Sequence, residues 1–342
     1  MNQAKSFRVN RIVLLLILGL TAFIIYFLFF VNPASVIEVV SHTNLVYYTG
    51  AFVAYLTGVF FSALVWFSLL NNLYIKISVK SAFLFTWVGL FFDATVPQLG
   101  LSGDLAKTYL LCKASNEEPG KVGASVIGQK IMTMTITIVT LSLGLSLMLF
   151  SYSLPTTIAV AITAVLVLSI IALILVYYVS IKPKATQMLL NWLIRTITFF
   201  RSHWNPQNFR QKAQETLNKF HAGIEQLKAK PKALLQPTLY SVLSWTLDIT
   251  VIFLTFIALG YAVPVDKVLI VYTLTGTLQA VGVAVFGINE IVMSTSFMVL
   301  GIPSALALSV TLLTRVVTLW FRLIMSYAAF QWTGIGIVRG KK

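Results

Sequence analysis

Apolar positions along this chain come in long unbroken runs, without the alternation of a strand or the spacing of a soluble amphipathic helix. Six runs, at 12–31, 45–70, 122–150, 154–180, 234–260 and 304–334, each reach the roughly 20 residues a helix needs to cross about 30 Å of hydrocarbon. Two further regions, 81–113 and 268–302, read differently. Each is an apolar run, then a break holding Pro or Gly, then a second apolar stretch of about 12 residues, which rises only about 18 Å and is too short to cross. The pattern therefore predicts an all-α integral membrane protein with about six full transmembrane helices. Regions 81–113 and 268–302 are expected as two re-entrant helical hairpins, and the whole of 1–342 as a single polytopic membrane domain.

Composition agrees with this pattern. Of the 342 residues, 58% are hydrophobic and 10% charged, against about 25% charged in soluble domains, and the mean hydropathy is +0.88. The net charge of +15 does not imply nucleic acid, because the basic residues gather at the ends of apolar runs, as they do on the cytoplasmic face of membrane proteins. With a single cysteine, Cys112, and three histidines (His42, His203, His221) not spaced as ligands, neither a disulfide framework nor a metal site is expected, and no cofactor. Run 12–31 follows Lys5, Arg8 and Arg11; at 20 residues it exceeds a signal core and ends in no small-x-small site, so a retained first span is expected.

Charge also sets the threading. Segment 182–232 carries ten Lys/Arg against Glu215 and Glu225, and the C-terminus ends in Arg339, Lys341 and Lys342. Both are expected in the cytoplasm, as are the N-terminus and the turn with Lys76 and Lys80. These assignments agree only if 81–113 and 268–302 each return to the face they entered, one from inside and one from outside. Irregular backbone at such depth persists where protein buries it or where it lines a polar cavity. Within 182–232, Phe209, Ala213, Leu217, Phe220, Ile224 and Leu227 recur at helical spacing, and "NWLIRTITFFRSHW" mixes aromatics with Arg195 and Arg201. This reads as a basic, cytoplasmic, amphipathic linker between two halves, lying on anionic phospholipid headgroups of a cell (plasma) membrane.

The two hairpins match each other. Gly103 with Asp104, and Gly287 with Asn289 and Glu290, stand near the start of the returning half-helix. Each is followed by a lone cation in the next span, Lys130 at 26 residues from Asp104 and Arg315 at 25 from Glu290. Such a match indicates an inverted repeat, whose substrate site lies near the midplane between repeats. A structural alternative stands beside this one: Ser102 or Asn289 capping a half-helix, with Lys130 and Arg315 as fixed counter-ions. Arg322, two turns beyond Arg315, adds more positive charge than Glu290 needs, which favours an anion, with phosphate the natural candidate. Asp93 and Asp248 each read equally well as partners of a cation or as titrating groups.

These residues resemble a known family, the flippase-like membrane region of lysylphosphatidylglycerol synthases and the stand-alone relatives made of that region. The resemblance rests on Pro97…Gly103-Asp104-Leu105, on "SVIGQK" through Lys130, on Gly287-x-x-Glu290 and on Arg315. It departs at Ala284 and Val285, where the family has paired glycines, and at Gln129-Lys130, where it has Glu-Arg. In the full-length synthases a soluble aminoacyl-transferase domain makes the modified lipid and the membrane region moves it. The chain ends eight residues past its last run, so the resemblance implies translocation without synthesis: a non-enzymatic flippase for a phospholipid or polyprenyl-phosphate-linked lipid. Its expected site is Glu290, Arg315, Asp104, Lys130, Gly287, Asn289, Gly103 and Arg322. Membrane lipids are the expected partners, nucleic acid is not, and a homo-oligomer is compatible with the sequence. Two other classes compete: a small-solute or ion transporter built on inverted repeats, and a membrane-embedded lipid or glycosyl transferase. The scattered carboxylates weigh against the transferase, and buried charge weighs against a purely structural subunit.

Overall fold

The computed structural model describes residues 33–95, 101–151, 156–200, 207–280 and 287–338. All the secondary structure in them is helical. The expected first span at 12–31 and the C-terminal cations lie outside the described residues, as do Pro97 and residues 281–286 of the second break.

A short helix, α1 (Pro33–Ser41), precedes α2 (Leu45–Asn72). Asn44 caps α2 by accepting the Val46 N–H at 3.0 Å. The chain continues as α3 (Val79–Thr95), α4 (Ser102–Ser115), α5 (Pro119–Ser151), α6 (Thr156–Ile181), α7 (Pro183–Phe200) and α8 (Gln207–Ala229). After a 3-10 turn come α9 (Leu235–Ala258), α10 (Val265–Ala280), α11 (Ile288–Val299) and α12 (Ser304–Arg315); a π-helical stretch, Val316–Phe321, leads into α13 (Arg322–Val338).

Among the described residues, five segments are long and apolar enough to cross a membrane: Leu45–Asn72, Pro119–Leu147, Thr163–Ile181, Pro231–Ala258 and Ser304–Thr333. These correspond to five of the six predicted spans. Helix α6 shows its environment most directly, since Leu168, Ile171, Ile174 and Leu175 all lie on the outside. An apolar belt of this kind suits lipid rather than water. The other helices of the two irregular regions are short. At 17, 14, 16 and 12 residues, α3, α4, α10 and α11 fall below the crossing length of about 20.

Packing gathers at the two ends of the bundle and in the middle. One cluster joins Leu69, Leu70 and Leu73 at the end of α2 with Ala82 and Phe85 early in α3, Leu111 late in α4, Val122 early in α5, and Ile224 and Leu227 late in α8. The opposite cluster joins Leu141 and Leu145 of α5, Phe256 of α9, Val268 and Val271 early in α10, Phe297 late in α11, and Ala307 and Val310 early in α12. Between them, Gly58 lets α2 lie close to α9: a Cβ there would stand 3.3 Å from Asp248 Oδ1, and Ser244 Oγ donates to Gly58 O at 2.9 Å.

The basic segment 182–232 folds as α7 and α8 and is more than a connector. Helix α8 docks on α5 at glycines, where a Cβ on Gly223 would approach Ala124 Cβ to 2.8 Å. Thr186 Oγ1 and His221 Nε2 share a 2.7 Å hydrogen bond, and Gln226 Nε2 donates to Asn72 O at 2.8 Å. Of the predicted stripe, Ile224 and Leu227 are buried in this contact, whereas Phe209, Ala213 and Leu217 face a groove shared with Trp192 of α7.

Candidate functional site

Two polar assemblies lie inside the bundle, one at each irregular region. At the first, α3 and α4 cross over glycines: a Cβ on Gly103 would sit 2.3 Å from Gly89 O and 2.4 Å from Asp93 Oδ2. Asp93 then reaches the start of α4, its Oδ1 accepting the Gly103 N–H at 2.8 Å and the Ser102 hydroxyl at 3.2 Å. The first turn of α4 leaves backbone N–H groups that need an acceptor. Asp93 supplies that acceptor from the neighbouring helix, where a carboxylate also suits the positive end of the helix dipole.

The next residue, Asp104, holds two lysines, Lys107 Nζ at 3.0 Å through Oδ1 and Lys130 Nζ at 3.1 Å through Oδ2. Lys107 also donates to Gln129 Oε1 at 3.0 Å and lies 5.3 Å from the centre of the Trp66 ring. The sequence reading did not single out Lys107. The signal that could have found it is its i,i+3 spacing from Asp104.

At the second region, Gly287 adopts φ 95°, a left-handed conformation that favours glycine, and turns the chain into α11. Glu290 Oε2 accepts the Gly287 N–H at 2.7 Å while Oε1 accepts Arg315 Nε at 2.5 Å. Both side chains are enclosed, Glu290 at 5% and Arg315 at 13% exposure. A buried ion pair survives when further hydrogen bonds satisfy it, and the backbone N–H of the turn supplies one. Asn289 does not serve as a cap: it is 3% exposed, and its Oδ1 has no partner among the described residues.

Beside this pair lies a cavity of about 260 Å³ in the middle of the bundle. Helices α2, α3, α9, α10, α11 and α12 wall it, together with the π-helical stretch and α13. Arg315 and Arg322 both reach it, and the wide π turn between them sits where such turns are often functional. Asp248 of α9 and Tyr272 of α10 face it as well, with the Tyr272 hydroxyl donating to Asp248 Oδ2 at 3.3 Å. Three lining residues carry enclosed polar atoms with no partner among the described residues: Asn289 Oδ1, Thr314 Oγ1 and Arg322 Nε. Buried polar groups are ordinarily paired, so three unmet ones on one wall mark a place for a polar ligand.

Of the eight residues expected at the site, Asn289, Arg315 and Arg322 line this cavity, and Glu290 and Gly287 stand directly behind them. Gly103, Asp104 and Lys130 are not part of its wall. They connect to it indirectly, since Gln129 Nε2 donates to the backbone carbonyl of Ser62, itself a lining residue, at 3.1 Å. Residues the sequence reading did not place in the site are Tyr55, Ser244, Tyr272, Thr275, Thr314 and Thr318, while Asp248 stood undecided. Hydroxyl residues in apolar spans are common and carry no distinguishing spacing.

The chain matches the model of the lysylphosphatidylglycerol synthase TM region over residues 12–326. It is 26% identical over 317 residues to a UPF0104 membrane protein of Pyrococcus horikoshii, a match covering 90% of this chain and 92% of that one. A UPF0104 membrane protein of Methanocaldococcus jannaschii is 26% identical over 330 residues, covering 94% and 95%. No solved structure matches.

Proposed function

The chain belongs to the family of the lysylphosphatidylglycerol synthase TM region, and on that premise we propose that it moves a phosphate-bearing lipid across the membrane without altering it chemically. The observation that carries this reading is the mid-bundle cavity, where the guanidinium groups of Arg315 and Arg322 converge with the unmet Asn289 Oδ1 and Thr314 Oγ1. Arg315, held through Nε by Glu290, keeps the rest of its planar fork for a ligand, and such forks match phosphate oxygens. Arg322 and the Thr314 hydroxyl add donors, and a turned Asn289 amide would present its NH2. At about 260 Å³ the space lies just under the roughly 300–1,000 Å³ usual for ligand pockets. It therefore suits a headgroup whose chains stay in lipid.

In this reading α3–α4 and α10–α11 are re-entrant hairpins from opposite faces, related as an inverted repeat. Their lengths support it, as does the company of their ends: early α3 and late α4 share one core cluster, early α10 and late α11 the other. The termini and the α7–α8 unit then lie in the cytoplasm of a cell whose plasma membrane holds the protein, with α7 against anionic headgroups.

The test is a vesicle assay with fluorescent phospholipid, scored by loss of signal to an impermeant quencher. Wild type is expected to expose inner-leaflet lipid, and Arg315→Ala to lose most of that activity. Equal rates for wild type and Arg315→Ala would sink the assignment.

A further inference from the structure

Two carboxylates stand at the mid-bundle cavity, and they are held differently. Glu290 has both oxygens committed, one to Arg315 Nε and one to the Gly287 N–H. Asp248 receives one hydroxyl, that of Tyr272 at 3.3 Å, long for an O–H···O bond. Among the described residues no cation lies within 4.0 Å of it. The charged and titratable groups that face Asp248 are Tyr55 from α2, Tyr272 from α10 and Arg322 from α13, with Arg315 of α12 nearby and Glu290 of α11 behind it. Helix α5, also packed on α9, contributes nothing to the cavity wall, and α3 contributes only Thr86 and Leu90.

Charge balance then limits what can enter. With both carboxylates ionised, the two guanidinium charges of Arg315 and Arg322 are already matched. A phosphodiester monoanion arriving alone would leave net negative charge at membrane depth, which is costly. One proton removes that cost, and Glu290 could accept it only by releasing Arg315 and the turn at Gly287. Asp248 has no such commitment.

We propose that Asp248 is the proton carrier of this cavity, so that an anionic phosphate headgroup and a proton occupy it, and cross, together. An O–H bond forms on a carboxylate oxygen of Asp248, with a proton from water on the side where the headgroup enters. The bond breaks to water on the side where the headgroup leaves. This inference rests on the phosphate-lipid reading above and adds to it a coupled ion and the residue that carries it.

The experiment measures proton uptake by the detergent-solubilised full chain in weak buffer with a pH indicator, on adding short-chain phosphatidylglycerol or, separately, inorganic phosphate. Wild type is expected to take up about one proton per phosphatidylglycerol bound near neutral pH. Its affinity should fall by up to about tenfold per pH unit on the alkaline side. Asp248→Asn, a neutral side chain of the same shape, is expected to take up none and to bind with the same affinity at every pH. Uptake with phosphatidylglycerol but not inorganic phosphate supports the inference with a lipid as cargo. Inorganic phosphate can itself gain a proton near neutral pH, so equal uptake with it that disappears in Asp248→Asn keeps Asp248 as the carrier and replaces the lipid by a free anion, whereas uptake that persists in Asp248→Asn overturns the inference. Binding to wild type without proton uptake overturns the inference while leaving the phosphate site, and so does an Asp248→Asn variant that keeps the wild-type pH slope. Failure of wild type to bind either probe overturns both.

Discussion

Glu290 and Arg315 stand 25 residues apart in the chain and 2.5 Å apart in the structure, both enclosed. Breaking such a pair from one side strands the other charge, at a cost of about 3–5 kcal/mol. Glu290→Gln is therefore expected to lower the melting temperature in detergent sharply. Glu290→Gln with Arg315→Met should recover part of that stability while remaining inactive in the vesicle assay. A double variant no more stable than the single one would contradict the pairing. Gly287 makes a second residue-scale case: at φ 95° an alanine costs roughly 1–2 kcal/mol, so Gly287→Ala should melt earlier. The Glu290–Arg315 pair was legible in the sequence because lone charges in apolar runs are too costly to be incidental. Tyr272 and Thr314 were not, because a hydroxyl in a span can bond its own helix and signals nothing by position.

Helix pairs are held here by close backbone approach at small residues. The α3–α4 crossing is one of the close ones, with Gly103 against Gly89 and Asp93 closing the start of α4. Gly103→Ala should disrupt it, since the added methyl would meet a carbonyl oxygen at 2.3 Å that belongs to backbone and cannot swing away. The expected result is low yield of folded protein by size-exclusion chromatography, whereas Gly276→Ala, with open space around it, should behave as wild type. The glycines were visible in the sequence, but what each one faces depends on which helices meet. The same holds for α8. Its apolar stripe was plain, yet the docking of Ile224 and Leu227 on α5, and the opening of the other half of the stripe toward α7, follow from how the helices pack.

For the whole molecule, the paired ends of the two irregular regions give a topological prediction. In a Cys112→Ser background, Ser78→Cys and Glu118→Cys should react with an impermeant thiol reagent from one side of sealed vesicles, and Val265→Cys and Ser304→Cys from the other. If Ser78→Cys and Glu118→Cys label from opposite sides, α3–α4 crosses the membrane and the threading is wrong. The all-helical membrane class and five of the spans were readable in advance, because hydrocarbon admits helices of one minimum length and marks them with apolar composition. Of the eight residues expected at the site, three line the cavity with two directly behind them, while Gly103, Asp104 and Lys130 form a separate assembly with Lys107.

What the sequence determined by itself is what lipid imposes on any chain: where helices can cross, where they are too short, and which charges must find partners. Only the tertiary structure decided which partners those are. Two carboxylates of one chemical type, Glu290 and Asp248, differ because one is closed by Arg315 and a backbone N–H while the other meets a single tyrosine across a cavity. Spacing along one helix says nothing about that difference, because the groups that create it come from outside the helix that carries each carboxylate: Tyr272 from α10, the Gly287 turn before α11 and Arg315 from α12.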